Sequence, residues 1–537
     1  MKNKTLPLGP GVPEEFVVKF GQHVKFALCG WDRLILRGTL RSLFSPRRAR
    51  AYLCTAGVLL KDFRDWAQAL TGRVRDTAMD AAKAAGRPYR YLYSPDTDKL
   101  GLARESAARD GVKDGLVAVF SAVEPCTAVT VRGDRESGLL VPVVQRRKCL
   151  HLYHYLLHPT FGLCHVRVQT WLPFTVEVWI NGREWLARQM DAAGWAYVKR
   201  ENFFSELANP AAAQALFEEQ HRADWPKLLG QLLDATHPLH AKITAPLWGQ
   251  SYYWSLAQTE YATDLVFKKR ETLAQIYPQF VRHGLTSFGS ADIMRYLGHV
   301  VSATTGRVNG RFKGEAITSY QVRREGVRLK HLVGQNGIKA YDKHGGEGLR
   351  IETTLNAPEV FKIRRPATGK KRGKKGWRRL RRSVADAKPR AEASRAANAR
   401  YLQALAATAP GRPLGQTAAP LTKRVRRQGR GYRALNPFAA KDAAVLALIN
   451  RGEFTVEGLR NADLQAVLFS SPARTAKQRR RRSAAASRYL RLLRAHRLIR
   501  KVSGRHRYLI TARGREAATV FITAQAADVA KLTALAA

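Results

Sequence analysis

Between Leu116 and Ile180 four runs of β-forming residues follow one another so closely that only one kind of sheet accommodates them. The runs LVAVFSAVEPCTAVTV, VPVVQRRKCLHLYHYLL, HVRVQTW and FTVEVWI are separated by turns as short as HPTFG and LP. A parallel connection needs a crossover of a dozen or more residues, usually a helix. Strands joined this tightly run antiparallel, so a meander is expected. VKFALCGWDRLILR (residues 24–37) reads as a further strand or hairpin, followed by helical text from about Pro46 to Ala84. From Gly182 (REWLARQMDAAG) helical patterning dominates to about Leu297. GVRLKHLVGQNGIKAYDKHGGEGLRIETTL then sets N-G and G-G dipeptides between alternating strands, which is hairpin text.

At Pro366 the composition changes. Lys370, Lys371, Arg372, Lys374 and Lys375, followed by Arg378, Arg379, Arg381 and Arg382, place nine positive charges within thirteen residues and no acid among them. This text, rich in Ala, Pro and Gly to about Arg433, is expected to be a flexible, partly helical linker that tethers the chain to phosphates. Trp377 inside the run can stack on a base. Compact patterning resumes near Asn436: KDAAVLALINRG is one helix, RNADLQAVLF a second, and a third runs from about Ala476 to His496. LIRKVSGRHRYLIT reads as two strands around a Ser-Gly turn, with a final helix from Arg515. The expected division is a 1–145 N-terminal α/β region, a 146–365 β-meander and helical region with a second hairpin, a 366–434 basic linker and a 435–537 nucleic-acid-binding domain. The fold class is α+β.

Charge bears on partners. Lys and Arg number 92 against 42 Asp and Glu, a net charge of +50, which repels itself in a compact chain unless a polyanion neutralises it. At 45% hydrophobic residues the chain can still bury real cores. No stretch approaches 18 apolar residues, and Met1 to Phe16 carry no apolar core of the signal-peptide kind. Cys29, Cys54, Cys126, Cys149 and Cys164 are odd in number, scattered, and contain no C-x-x-C pair. A cytoplasmic protein without disulfides or membrane is the expectation, with nucleic acid as partner, DNA ahead of RNA.

Between Leu464 and Arg515 there are sixteen Lys or Arg and no acid. The element order helix–helix–helix–hairpin–helix resembles the MarR-like winged-helix group. That resemblance implies a recognition helix carrying Arg479, Arg480, Arg481, Arg482, Ser483, Ser487 and Arg488. It implies a wing formed by Lys501, Arg505, His506 and Arg507.

An active site in the first 365 residues is harder to read. No phosphate loop, G-x-G-x-x-G after a strand, H-E-x-x-H or G-x-S-x-G is present, which excludes self-contained NTPases, dehydrogenases, zincins and α/β-hydrolases of the usual kinds. In the histidine-rich text around the HPTFG turn, His158 and His165 flank the turn and form a candidate metal pair. In QSYYWSLAQTEYATDLVF, read as a helix, Glu260 and Asp264 lie one turn apart with Tyr261 beside them. Two such carboxylates suit a Mg²⁺ or Mn²⁺ ion acting on a phosphodiester. Asp32 and Glu124 are acids on strands amid apolar neighbours and are further candidates for a two-metal nuclease or transposase site.

In IKAYDKHGGEGLRIETT, Tyr341 and Lys343 on one strand face Arg350 and Glu352 on its partner. This pair resembles the Y-x-K and R-x-E strands of rolling-circle replication initiators, in which a tyrosine attacks a DNA phosphate beside a metal ion. None of the fourteen histidines stands two positions from another, so the His-x-His metal pair of such enzymes has no counterpart. Across most of its length, on GLVAVFSAVEPC, GLCHVRVQTW, TSFGSADIMRYLG, IKAYDK and LRIETTLN, the chain resembles a family of large bacterial proteins ending in a winged helix. The expected function is nucleic-acid binding, with recognition of DNA at a mobile element or replicon. The alternatives are a metal-dependent DNA-nicking or strand-transfer enzyme and a protein partner of a structured RNA.

Overall fold

The computed structural model describes residues 8–94, 96–299, 315–323, 326–366, 376–407, 414–456, 458–502 and 506–527. It is a mixed helix-and-sheet protein. The strands in chain order are β1 (Val24–Thr39), β2 (Tyr89–Tyr91), β3 (Gly115–Gly133), β4 (Leu140–His158), β5 (Gly162–Gln169) and β6 (Val176–Asn181). They continue with β7 (Tyr197–Arg200), β8 (Phe203–Leu207), β9 (Tyr253–Phe267), β10 (Ile317–Arg323), β11 (Gly326–Val333), β12 (Asn336–Lys343) and β13 (Gly348–Leu355). The last are β14 (Lys362–Arg365), β15 (Gly376–Arg379), β16 (Val425–Arg427), β17 (Arg430–Tyr432), β18 (Ile499–Lys501) and β19 (Tyr508–Ile510). Eleven of them form one sheet in the order β10-β11-β12-β13-β9-β1-β6-β5-β4-β3-β2. Contacts group the chain into two units, Leu28–Ala262 with Thr354–Ser394, and Met1–Ala27 with Thr263–Thr353 and Arg395–Ala537.

In the first of these units the expected meander is present: β3, β4, β5 and β6 pair antiparallel in succession, with registers such as Phe120↔Tyr153, His154↔Val166 and Val166↔Val178. β1 extends it through Leu36↔Val178, and β2 adds a short parallel edge to β3. Val166, Val168, Val176, Val178 and Ile180 are buried, as period-two β-branched residues on one covered face should be. The meander ends where Asn181 caps the helix Gly182–Ala192, its side chain accepting from the Arg183 N–H at 2.8 Å. Gly182 is required there, because a Cβ would stand 2.1 Å from the Trp31 carbonyl oxygen.

In the other unit the helices Arg270–Thr286 and Ser290–Leu297 bury Leu273, Tyr277, Phe280, Ile293 and Tyr296 in one core with Ile338, Ala340, Ile351, Tyr401 and Leu405. Tyr277 donates its hydroxyl hydrogen bond to the Val327 and Ala340 carbonyls. A separate apolar cluster, including Val445, Leu446, Leu464, Leu490, Leu493 and Phe521, holds the C-terminal module together.

Three sequence expectations change. The segment QSYYWSLAQTEYATDLVF, read as a helix, is β9. β9 lies inside the sheet between β13 and β1, and residues 261–267 are all buried, so neither face alternates and the period-two signal is lost. The text expected as linker contains β15, paired with β14, and the helix Ala387–Leu405, in which Arg390, Ser394, Asn398, Tyr401 and Leu402 are buried. Its inward positions ahead of Tyr401 are small or polar, so hydrophobic periodicity did not mark it. The domain boundary expected at 145/146 falls inside β4.

Candidate functional site

The C-terminal module is built from the helices Ala440–Ile449, Glu453–Val456, Asn461–Leu468 and Ala476–Ala495, the β18–β19 hairpin and the helix Ala512–Gln525. The long helix Ala476–Ala495 starts at Thr475, whose hydroxyl accepts from the Gln478 N–H. Ala486, Leu490 and Leu493, spaced four and three apart, bury its inner face. Arg480, Arg481, Arg488 and Arg491 are exposed on the outside, and Arg479 is exposed on the inner stripe ahead of Ala486.

The other expected contact residues of this helix face inward or sideways. Asn461 donates to the Ser483 carbonyl and to the Ser487 hydroxyl, both at 2.9 Å, so these two serines join neighbouring helices. Arg482 lies over the Phe469 ring at 4.9 Å and donates to the Ser471 carbonyl. In the hairpin Lys501 and His506 are exposed, Arg507 is half-buried, and Arg505 lies outside the described residues. Acids of the module turn to structural tasks. Asp442 takes a fork of two 2.7 Å bonds from Arg433 and a third from Tyr489. Burial alone would raise its pKa, but these donors hold it below the ordinary aspartate value. Asp463 accepts from the Arg460 N–H ahead of its helix.

Of the basic run, Lys370, Lys371, Arg372, Lys374 and Lys375 lie outside the described residues. Arg378 and Arg379 are exposed on β15, whereas Arg381 is held by Asp386 and Arg382 by Glu359.

Two of the candidate acids of one unit come together, with a third, Glu352, standing on β13 of the other. Asp32 and Glu260 stand on β1 and β9, and their carboxylate oxygens lie within 4.8 Å of one another. Each is already engaged. Asp32 accepts from the Asn202 amide at 2.9 Å and has the buried Arg183 guanidinium 3.7 Å away. Glu260 pairs with Arg33 at 2.7 Å. Glu352 pairs with Lys339 at 2.6 Å and accepts from the Tyr341 hydroxyl. Burial opposes the Glu352 anion, yet Lys339 and Tyr341 prevail and draw its pKa down to about 2. A cluster of oxygen ligands of this kind suits a hard divalent cation such as Mg²⁺ or Mn²⁺. Sequence reading missed Arg183, Asn202 and Lys339, which come from separate segments and carry no motif.

The remaining candidates lie elsewhere. On a strand, Asp264 is about 13 Å from Glu260 rather than one helical turn away. It is locked in a two-point ion pair with Arg350, both fully buried. Tyr261 is fully buried edge-on to Trp31. Glu124 anchors its own network on the meander, accepting from Tyr153 at 2.7 Å and Arg167 at 2.8 Å with Lys99 at 3.4 Å. The His158 and His165 pair does not form. His165 registers with Tyr155, and Tyr155 and His158 are three residues apart on β4, so the two imidazoles project to opposite faces. His165 stacks on Trp179 and burial lowers its pKa to about 4, while His158 accepts from the Thr160 N–H and stacks on Phe161.

No family model, curated protein or solved structure matches this chain.

Proposed function

We propose that this protein binds nucleic acid, with duplex DNA as its target, through a C-terminal winged helix-turn-helix whose recognition helix is Ala476–Ala495. One observation carries the reading: the helix buries Ala486, Leu490 and Leu493 and leaves Arg480, Arg481 and Arg488 on an acid-free outer side, with Arg479 exposed in its first turns. A helix of this kind fits the major groove, and the β18–β19 hairpin, with Lys501 and His506 exposed, supplies the wing against phosphates. The arginines neutralise phosphates and release counterions, so affinity falls steeply with salt. The test uses the full chain and a fluorescein-labelled duplex, titrated at several salt concentrations. Arg480→Ala with Arg481→Ala, both exposed positions, is expected to weaken binding and to reduce the slope of log affinity against log salt by about 2. Unchanged affinity and slope would remove the reading.

The carboxylate pair Asp32 and Glu260 favours a second reading, metal-dependent cleavage or strand transfer at a phosphodiester. Asp32 and Glu260 would hold a Mg²⁺ or Mn²⁺ ion, which would polarise a phosphate oxygen. Arg33, which pairs with Glu260, would be free to meet a substrate phosphate once an ion takes the carboxylates. Glu260→Gln is expected to abolish Mn²⁺-dependent nicking of supercoiled DNA and leave duplex affinity unchanged. A wild-type protein that nicks no DNA with either ion removes this second reading and leaves the first intact.

A further inference from the structure

The β14–β15 hairpin is anchored on one side and bare on the other. Phe361 and Leu380, at its base, are buried with Leu355, and Ile363 packs against them from β14. The register pairs Lys362 with Arg379, Ile363 with Arg378, Arg364 with Trp377 and Arg365 with Gly376. Directly opposed residues share a face and alternate residues along a strand share it too. Lys362, Arg364, Trp377 and Arg379 therefore project together from the face opposite Ile363. All four are exposed, and the Trp377 indole is 71% exposed.

Nearby acids are committed elsewhere. Asp386 is buried and holds Arg365 and Arg381, and Glu359 pairs with Arg382. Among the described residues no ion pair engages Lys362, Arg364, Arg378 or Arg379. An indole left in water among three cations, with a guanidinium directly across the ladder from it, is an unusual surface for a chain to display. It has the two parts of a single-strand site: a flat π-face for a base, and positive charge spaced along a strand for the backbone that carries it. A duplex keeps its bases stacked on one another and presents no free base face to such a residue.

We propose that this face binds single-stranded nucleic acid, Trp377 stacking on an unpaired base while Lys362, Arg364 and Arg379 hold the flanking phosphates. The proposal rests on the reading of the protein as a nucleic-acid binder and adds a contact to unpaired strand, separate in its chemistry from groove recognition by the helix Ala476–Ala495.

The experiment is fluorescence anisotropy on the full-length protein with two probes, a labelled oligothymidylate and a labelled duplex of mixed sequence. Trp377→Ala is expected to lose about tenfold in affinity for the oligothymidylate, the scale of one base–aromatic stack, with duplex affinity unchanged. Trp377→Phe should recover most of the loss, because an aromatic face is what the site requires. Equal affinity of Trp377→Ala and wild type for the oligothymidylate overturns the proposal, as does an equal loss on both probes. The Arg480→Ala with Arg481→Ala protein separates the two claims: it should lose duplex affinity and keep its response to Trp377. If it binds duplex as wild type does while Trp377→Ala still loses the oligothymidylate, the single-strand site stands and duplex recognition by the helix falls.

Discussion

Arg350→Met should expose how the centre of the sheet is held. The guanidinium reaches the two oxygens of Asp264 at 2.5 and 2.9 Å, and the two side chains are 0% and 1% exposed. Opposite unit charges about 3 Å apart attract by roughly 5 kcal/mol at an effective dielectric near 20, and desolvation of both groups offsets most of that gain. Loss of one partner is a different matter, since Asp264 would stay buried without its counter-charge, at a cost of about 3–5 kcal/mol. Asp264→Asn should cost a comparable amount by stranding the guanidinium. Asp264→Leu combined with Arg350→Met removes both charges, and the double variant should lie within about 1–2 kcal/mol of wild type. Equilibrium urea unfolding followed by far-UV circular dichroism measures each midpoint. Additive losses in the double variant, or single losses below about 0.5 kcal/mol, would refute the assignment of Asp264 and Arg350 as a closed structural pair.

Three further outcomes are expected. Glu352 has a folded pKa of about 2 against an ordinary 4.5, so the unfolded chain binds its proton first as pH falls. Its contribution to stability is complete above about pH 4.5 and is lost between there and pH 2, and Lys339→Met should flatten that part of an acid-unfolding curve. Gly182→Ala should destabilise by about 1–3 kcal/mol in urea unfolding, because the new methyl group drives the helix away from the Trp31 carbonyl. Asn461→Ala should cost about 1–2 kcal/mol by removing the bonds to Ser483 and Ser487, and it should leave the salt dependence of duplex binding unchanged.

Local chemistry made much of the framework legible. Closely spaced β-branched runs with short turns allow only antiparallel neighbours, and β3 to β6 follow that rule. The G-G turn marked the β12–β13 text, whereas the N-G dipeptide falls in β12 and the β11–β12 turn is Gly334–Gln335; in the C-terminal module the apolar periodicity of Leu490 and Leu493 separated a buried stripe from exposed arginines. Such signals are readable because their period belongs to one element and its own turns.

What sequence could not supply came from pairings between distant segments. β9 is buried on both faces over residues 261–267, so it shows no alternation and its pattern matched a helix as well as a strand. That one ambiguity moved Asp264 away from Glu260, into its pair with Arg350. Strand pairing brought Asp32 and Glu260 together: they are neighbours through strand order, with a sequence separation that no motif encodes. The hairpin face of Trp377 depended on a register between β14 and β15, and register shows which exposed side chains stand together only after both strands have been paired. Net charge and periodicity are sums over a chain or a window, and the sequence alone determined them. Which charges meet, and which are left for a partner, is a matter of contacts, decided by the tertiary structure.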